Sequence, residues 1–310
     1  MMGGLKGKDI LHGNQFSKKD IEAILKTASG FEKELKKKDA LSLLKGKVLA
    51  TLFFEPSTRT RLSFETAMQR LGGGIISMAS AESSSAAKGE SVADTARTVA
   101  QYADLIVMRH PRVGSVKEAA DAADVPVINA GDGAGQHPTQ ALLDVYTIQK
   151  ELGSLKNLVV SMAGDLKNGR TVHALVELLS QFGAHLYFVS PPILRMPEEI
   201  VSNLKRKGIK ITETEDLRKA ASESHLIYMT RIQKERFEDL SEYERVKGAY
   251  IINEEFLKGV HKKITIMHPL PRVDEISSDV DGYPGAAYFR QVRNGVYVRM
   301  ALIAMVMGRI

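Results

Sequence analysis

The chain has 310 residues, of which 44% are hydrophobic and 26% are charged, the balance of a soluble globular protein long enough for two domains. It contains no cysteine, which excludes disulfides, thiolate metal ligands and cysteine nucleophiles. The formal net charge of +6 indicates an anionic partner, either nucleic acid or a small anionic substrate.

The sequence contains no motif for a membrane span, a metal site or nucleic-acid binding. No apolar run approaches the roughly 18 residues of a membrane span, and residues 1–8 lack the apolar core of a signal peptide. The histidines show no metal-ligand spacing, and no helix-turn-helix or RNA-binding aromatic pattern stands out. We therefore expect a cytoplasmic protein with no membrane, nucleic-acid or metal partner and no bound cofactor.

Short apolar runs alternate with amphipathic helical patterns along the chain, which is typical of an α/β fold with parallel sheets. Strands are predicted at residues 47–54, 75–79, 104–108, 125–129, 157–163, 184–189, 209–212, 225–229 and 264–267. Helices are predicted at residues 61–71, 139–152 and about 292–308. We expect two domains, each a parallel sheet flanked by helices: residues 1–150, residues 151–290, and a C-terminal helix, 291–310, that packs back on the first domain.

The segment from Ser57 to Arg61 joins a buried strand to a helix and carries hydroxyl and guanidinium groups. Free backbone N–H groups at a helix N-terminus favour an anion, and Ser57, Thr58, Arg59 and Thr60 would strengthen that preference. An ordinary helix cap is the alternative, but a cap alone requires no arginine. The segment therefore predicts a phosphate site that is not a P-loop.

Two further segments of the first half follow predicted strands. Arg109 comes directly after one strand, and the glycine-rich turn 129–137 precedes a helix that carries Gln140. Residues at the carboxyl ends of parallel strands face the ligand crevice. His137 and Gln140 are three residues apart, so they can share a face of the first helical turn. A lone histidine is more often structural, but its place in this turn makes His137 a functional candidate.

In the second half, Arg170 follows a turn without the glycine spacing of a dinucleotide site, and Arg231 follows the strand 225–229. The segment 268–272 brackets Leu270 with prolines, which leaves neighbouring carbonyls available to a ligand. From spacing alone the runs 230–236 and 268–272 could equally be polar loops. Hydrogen-bond donors that could bind a phosphate lie in the first half, and arginines lie in the second half. This distribution indicates an active site in the cleft between the domains, with one side for a phosphate and the other for a carboxylate.

The loop 80–91 is rich in Ser and Ala, and composition alone favours a flexible surface loop.

Taken in order, these motifs resemble those of the transcarbamoylases. The runs 57–61 and 137–140 are similar to carbamoyl-phosphate motifs, and the runs 231–236 and 268–272 resemble the aspartate branch. The Ser-Met-Gly loop and His-Cys-Leu-Pro motif usual in ornithine transcarbamoylases are absent. The resemblance covers nearly the whole chain and implies transfer of a carbamoyl group from carbamoyl phosphate to L-aspartate, a step of de novo pyrimidine biosynthesis.

The resemblance also implies a role for each site residue. Phosphate would be held by the residues of the first motif: Ser57, Thr58, Arg59 and Thr60. The carbamoyl oxygen would be contacted by side chains from three segments: Thr60, Arg109 and His137. The carbamoyl NH2 would be fixed by one side chain and two carbonyls: Gln140, Pro269 and Leu270. Aspartate would be bound by residues of the second half: Arg170, Arg231 and Gln233.

The resemblance replaces the surface-loop interpretation of residues 80–91. Ser84 and Lys88 would reach the active site of a neighbouring subunit, which makes a homotrimer with shared sites the smallest competent unit. Glu55 would bridge the domains by pairing with Arg170 and Arg236.

One position departs from the family pattern, because Asn168 stands where a tyrosine is common, near contacts linked to allosteric state. In some members a separate zinc-bearing regulatory chain binds the catalytic trimers, so such a chain is a candidate partner.

Two alternatives stay open at this point. A transcarbamoylase for another amino acid would share the motifs of the first half, although Arg231 and Gln233 favour an acidic substrate. A nucleic-acid or anion-binding protein without catalytic activity would fit the basic charge, and it predicts clustered surface cations and salt-dependent binding.

Overall fold

The computed structural model describes residues 4–80, 89–133, 135–260 and 263–310. The chain divides into two compact units: unit 1 comprises Met1–Leu143 with Val292–Ile310, and unit 2 comprises Asp144–Gln291. The first division falls inside a helix, and the second falls near the start of the last helix. The domain limits predicted at residues 150 and 290 stay a prediction about separate functional domains.

Unit 1 is built on a parallel four-stranded sheet with strand order β2-β1-β3-β4. Its strands are β1 (Val48–Phe53), β2 (Gly74–Met78), β3 (Leu105–His110) and β4 (Val127–Asp132). Its helices are α1 (Lys18–Leu35), α2 (Thr58–Arg70), α3 (Val92–Ala100), α4 (Ser115–Ala122) and the start of α5 (Pro138–Leu152). The central strands β1 and β3 are buried along almost their whole length, as the Val-, Ile- and Leu-rich sequence predicts.

Unit 2 is built on a parallel five-stranded sheet with strand order β7-β6-β5-β8-β9. Its strands are β5 (Val159–Ala163), β6 (His185–Val189), β7 (Ile211–Thr214), β8 (Leu226–Met229) and β9 (Thr265–Met267). Its helices are α6 (Arg170–Ser180), α7 (Glu198–Arg206), α8 (Leu217–Glu223), α9 (Leu240–Val246) and α10 (Glu254–Lys258), and α11 (Tyr288–Val306) begins here. A core of buried side chains from β5, β8, α8 and α10 covers one face.

The predicted fold class, two parallel sheets flanked by helices, is confirmed in each unit. Several details differ from the prediction. The edge strand β2 is largely exposed, with Ile76 at 40%, so it is not covered on both faces in this chain. Strand β7 begins at Ile211 instead of residue 209, because its backbone pairs with β6 from Leu186 onward.

Each sheet has one point where the strand order reverses. In unit 1 the chain passes from β1 to β2 on one side and then to β3 on the other, and in unit 2 it passes from β5 to β6 and later to β8. Parallel α/β sheets bind ligands outside the carboxyl ends of the strands at such a reversal. The carboxyl ends of β1 and β3, and those of β5 and β8, are therefore where each unit offers a site.

Candidate active site

The turn between β1 and α2 carries the groups predicted to bind phosphate. Ser57 has an extended backbone, and its side chain makes no capping hydrogen bond, so the hydroxyl does not close the helix end. The helix begins at Thr58 instead of Arg61, which places Arg59 in its first turn and buries Thr60. The N–H of Arg61 donates to the carbonyl of Ser57 at 3.1 Å. By helix geometry the earlier N–H groups point beyond the helix end, where an anion is stabilised.

Arg109 is buried at the end of β3, the neighbour of β1. Its Nε lies 3.1 Å from Oε2 of Glu55, at the distance of an ion pair but without the alignment of a hydrogen bond. Its Nη1 donates to the carbonyl of Ala130 at 3.3 Å. Arg109 does not follow the strand, as the sequence analysis had it, because the backbone still pairs with β1 there and with β4 at His110. Strand pairing therefore fixes the backbone of Arg109, and the contacts with Ala130 and Glu55 hold its guanidinium.

Arg59 and Arg109 act on each other electrostatically. Burial lowers the pKa of the Arg59 guanidinium, and the positive charge of Arg109 lowers it further. Two cations that repel each other create a strong local preference for an anion. A phosphate group would relieve that repulsion and could accept several charge-assisted hydrogen bonds.

The glycine-rich turn after β4 is organised by Asp132. Its carboxylate accepts a hydrogen bond from the N–H of Gly114 at 3.1 Å and one from the N–H of Gln136 at 2.8 Å. Gly133 has a φ of +51°, and a Cβ there would collide with the carbonyl oxygen of Pro111. Only glycine fits this position, so the turn has a single shape.

That turn leads directly into α5. His137 immediately precedes the helix and is buried, while Thr139 in the first helical turn is completely buried. The N–H of Gln140 donates to the carbonyl of His137 at 3.0 Å. His137 and Gln140 therefore belong to the same turn of chain.

In unit 2, the turn between β5 and α6 is held by the buried carboxylate of Asp165. It accepts hydrogen bonds from the N–H of Asn168 at 2.9 Å and from the Asn168 side-chain amide at 3.2 Å. Gly164 has a φ of +110°, and a Cβ there would collide with the carbonyl of Thr230 at the end of β8. The close approach of these two strand ends requires glycine. Arg170 is the first residue of α6 and is partly exposed.

Arg231 and Gln233 follow β8 and lie next to that turn. The side chain of Gln233 donates to the carbonyl of Asn168 at 3.3 Å. Both terminal nitrogens of Arg231 donate to the carboxylate of Glu235. That hydrogen bond raises the pKa of Arg231 against the effect of burial, and it lowers the pKa of Glu235. The fork of Arg231 thus already holds a carboxylate in the geometry that a substrate carboxylate would use.

The segment after β9 contains Pro269 and Leu270, whose carbonyls are predicted to bind the carbamoyl NH2. Leu270 has a φ of +56°, a left-handed conformation that is uncommon outside glycine. Next to it, the imidazole of His268 is buried and hydrogen-bonded to Glu275 at 2.7 Å. The backbone here is therefore held in an unusual conformation beside a buried polar pair.

Models of known protein families match the chain over almost its whole length. The aspartate/ornithine carbamoyltransferase carbamoyl-P binding domain matches residues 8–150, and the Asp/Orn binding domain of the same family matches residues 156–306. The chain belongs to the aspartate/ornithine carbamoyltransferase family.

Individual relatives agree with this assignment. The aspartate carbamoyltransferase catalytic subunit of Thermococcus gammatolerans is 55% identical over 302 residues, covering 97% of this chain and 98% of the relative. That of Methanocaldococcus jannaschii is 53% identical over 297 residues, covering 96% of each.

Solved structures are also similar. The catalytic subunit of M. jannaschii aspartate transcarbamoylase has a TM-score of 0.91 at 51% identity, covering 97% of this chain and 98% of that one. The Trypanosoma cruzi aspartate transcarbamoylase in complex with carbamoyl phosphate and aspartate has a TM-score of 0.93 at 43% identity, covering 98% of each chain. The predicted family and the prediction of an aspartate carbamoyltransferase are confirmed.

The site residues predicted for this carbamoyltransferase fall into three groups. Unit 1 brings together the ends of β1 and β3, with Arg59 acting electrostatically on Arg109. Unit 2 brings Gln233 to the turn that precedes Arg170. Ser84 and Lys88 lie outside the described residues. The roles assigned to all of these residues stay predictions, as does the pairing of Glu55 with Arg170 and Arg236.

One buried cation in unit 1, Arg299, was not predicted from the sequence. Arg299 on α11 is 3% exposed, and its guanidinium donates to Ser63 at 2.8 Å and lies within 3.5 Å of the hydroxyl of Thr139. It also lies over the ring of Phe64, 5.0 Å from the centroid. Arg299 therefore joins the second turn of α2 and the first turn of α5 to the last helix. An arginine inside an apolar helical run was the available signal.

No group of three or more histidine, aspartate or glutamate side chains that could hold a metal occurs among residues 4–80, 89–133, 135–260 and 263–310. Within the same ranges, the helices are too short or too polar to cross a membrane.

Proposed function

We propose that this chain transfers the carbamoyl group of carbamoyl phosphate to the amine of L-aspartate, giving N-carbamoyl-L-aspartate and phosphate. The observation that carries the donor side of this proposal is the pair of guanidiniums, Arg59 and Arg109, beside the start of α2. Ser57, Thr58 and Thr60 add hydroxyl groups at the same helix end. A phosphate with one transferable group fits this set better than a nucleoside triphosphate, because the glycines and lysine of a P-loop are absent.

The assignment of L-aspartate as the carbamoyl acceptor rests on Arg231. Its fork already binds the carboxylate of Glu235, so it has the shape and charge to bind the side-chain carboxylate of aspartate. The side chain of ornithine ends in a cation, which Arg231 would repel. Gln233 and Arg170 supply further donors for the substrate carboxylates.

The chemistry needs no nucleophile from the protein. The neutral aspartate amine attacks the carbamoyl carbon, and negative charge develops on the carbamoyl oxygen. The bond from that carbon to the phosphate oxygen then breaks, and the departing phosphate takes the proton that the amine loses. Donors aimed at that oxygen stabilise the transition state more than the ground state, and we assign this role to Thr60, Arg109 and His137. Gln140 with the carbonyls of Pro269 and Leu270 holds the NH2 group. Lys88 and Ser84 complete the site.

We further propose that the active form is a cytoplasmic homotrimer in which residues 80–91 serve a neighbouring subunit, that it needs no metal or cofactor, and that it supplies pyrimidine biosynthesis. A separate regulatory chain with bound zinc is a candidate partner.

The decisive experiment is a carbamoyl-transfer assay of the purified chain with carbamoyl phosphate and a panel of amino acids. We expect a carbamoylated product with aspartate, and a rate at least about a hundredfold lower with ornithine, since a buried or half-buried like-charge contact costs several kcal/mol. Equal rates with aspartate and ornithine, or transfer to ornithine alone, would contradict the assignment of the acceptor.

A further inference from the structure

The carbonyls of Pro269 and Leu270 are useful only if their backbone is held still. The segment has no regular strand or helix after Met267, and Leu270 adopts a φ of +56°. A non-glycine residue in this region costs about 1–3 kcal/mol and persists only where its surroundings enforce it. The surroundings of Leu270 should therefore contain the enforcing contacts.

The imidazole of His268 contacts the backbone of Leu270 directly. Its Nδ1 accepts a hydrogen bond from the N–H of Leu270 at 2.8 Å, so Nδ1 carries no proton. In the neutral ring the proton is then on Nε2, which donates to Oε1 of Glu275 at 2.7 Å. The two ring nitrogens thus connect the backbone of Leu270 to the carboxylate of Glu275.

Glu275 in turn holds the next part of the segment. Its carboxylate accepts from the N–H of Val273 at 3.2 Å and from the N–H of Asp274 at 3.2 Å. Its own carbonyl accepts from the N–H of Ile252 at 2.9 Å. Glu275 is only 6% exposed, so these bonds are made away from solvent.

A second buried chain anchors the start of the segment. The backbone N–H of His268 donates to the side-chain oxygen of Gln291 at 3.0 Å, and the Gln291 amide donates to Asp144 at 2.6 Å. The hydroxyl of Tyr228 donates to the other oxygen of Asp144 at 2.8 Å. The segment is therefore attached to α5, β8 and α11 within unit 2 through groups that are all buried.

We infer that His268 and Glu275 are positioning residues that fix the carbonyls of Pro269 and Leu270 and so determine how well the site distinguishes a carbamoyl group from an acyl group without an NH2. This inference rests on the proposed function. The NH2 of carbamoyl phosphate is the only part of that substrate that donates hydrogen bonds, and carbonyls are pure acceptors. Acetyl phosphate has a methyl group in that place and gains nothing from the carbonyls.

The charge states of His268 and Glu275 fit a lasting hydrogen bond between the two side chains. Burial lowers the pKa of His268, against the hydrogen bond and charge of Glu275, which raise it. Burial acts to raise the pKa of Glu275, but the bonds from His268 and from the backbone outweigh it, so the net pKa is lowered. At neutral pH the pair is thus a neutral donor facing a carboxylate.

The test replaces Glu275 with glutamine, which keeps the shape and removes the second acceptor. If the amide oxygen faces His268, the amide NH2 faces the N–H groups of Val273 and Asp274. If the amide is turned, its NH2 faces the Nε2 proton of His268. In either orientation two hydrogen-bond donors face each other, so the segment loses part of the hydrogen bonding that holds it in place.

The measured quantity is the ratio of the KM for carbamoyl phosphate to the inhibition constant of acetyl phosphate, with inorganic phosphate as a second inhibitor. In the Glu275→Gln protein we expect this ratio to rise about tenfold, the effect of weakening two hydrogen bonds, while the constants for acetyl phosphate and inorganic phosphate change less than about twofold.

Two further variants keep the result interpretable. His268→Gln can still donate to Glu275 through its amide NH2, but it loses the rigid ring that holds an acceptor against the N–H of Leu270, so the same rise in the ratio is expected with the carboxylate satisfied. Ser161→Ala is the matched control, because it removes a buried hydrogen bond of 2.7 Å to Ser224 in the same unit without touching the segment. It should leave the ratio within about twofold of wild type.

The outcomes separate the two proposals. In an active enzyme, two results would overturn the positioning role. One is an equal weakening of the binding of carbamoyl phosphate and acetyl phosphate, and the other is a ratio that changes no more than it does in Ser161→Ala. If Glu275→Gln does not fold, His268→Gln decides by the same ratio. A folded wild-type protein that transfers no carbamoyl group overturns the proposed function and this inference with it.

Discussion

The ion pair between Glu55 and Arg109 offers a direct test of the phosphate site. Replacing Glu55 with glutamine removes a negative charge beside the guanidinium of Arg109 and changes the shape of the side chain very little. Arg109 keeps its hydrogen bond to the carbonyl of Ala130 and its place in β3, so it should stay in position. We therefore expect Glu55→Gln to bind phosphate and carbamoyl phosphate more tightly in the absence of aspartate.

The size of this effect follows from the geometry. The charges of Glu55 and Arg109 approach to 3.1 Å, which corresponds to about 1.3 kcal/mol in water. The Glu55 side chain is 36% exposed, and screening by solvent keeps the contribution of such a pair to about 1 kcal/mol. The dissociation constant of inorganic phosphate should then fall about fivefold at low salt. High salt should shrink the difference.

Isothermal titration with inorganic phosphate at two salt concentrations measures this effect. The matched control is Asp121→Asn, which removes the same charge from α4. Lys117 and Asp121 act electrostatically on Asp9, whose carboxylate accepts from the N–H of Val127 at the start of β4, so they lie at the opposite end of the sheet. A Glu55→Gln protein whose phosphate affinity is unchanged or weaker than wild type would refute the electrostatic argument. A fall in turnover with aspartate would instead support the predicted bridge from Glu55 to Arg170 and Arg236.

The remaining predictions concern the other site residues. Arg59→Ala should lower kcat by about a hundredfold to a thousandfold with an unchanged circular dichroism spectrum, and a variant with most of its activity would contradict the phosphate role. Arg231→Ala should raise the KM for aspartate at least about tenfold more than that for carbamoyl phosphate, so equal changes would count against separate sites for the two substrates. A trimer measured by light scattering should stay active in chelator; activity lost there and restored by zinc would argue for a metal. Lys88→Ala and Arg59→Ala proteins, dissociated and reassembled together, should regain activity in hybrid trimers, and inactive hybrids would show that Lys88 serves no neighbouring site.

Strand positions were the most predictable feature of this chain. Each predicted strand is present, because runs rich in Val, Ile and Leu between turn residues have few alternatives to a buried parallel sheet. The ends were less predictable. Strands β3 and β4 continue through polar residues as far as His110 and Asp132, since backbone pairing does not depend on side-chain polarity. Arg109 therefore lies within β3, although the sequence correctly predicted an arginine at this end of the sheet.

Partners of the charged side chains were not predictable from sequence. Arg109 lies beside Glu55 only because β1 and β3 are neighbours in the sheet, and Asp144 bonds Gln291 across 147 residues of sequence. Local spacing carries no information about such contacts. The pair His268 and Glu275 is closer in sequence, but its importance depends on burial, which the polar composition of that segment did not suggest.

The two units share one electrostatic arrangement. In each, a guanidinium at the end of a strand beside the reversal of the sheet is paired with a carboxylate of the same unit: Arg109 with Glu55, and Arg231 with Glu235. A substrate anion that takes the guanidinium must therefore replace an existing ion pair, so the net gain is the difference between two interactions of similar kind. Under the proposed role of Arg231, this difference would set the selectivity for the acceptor. A substrate carboxylate could replace Glu235 on the fork of Arg231, whereas a neutral side chain would leave that pair intact and a cationic one would be repelled. The Glu235 carboxylate would then add to the discrimination against non-acidic amino acids.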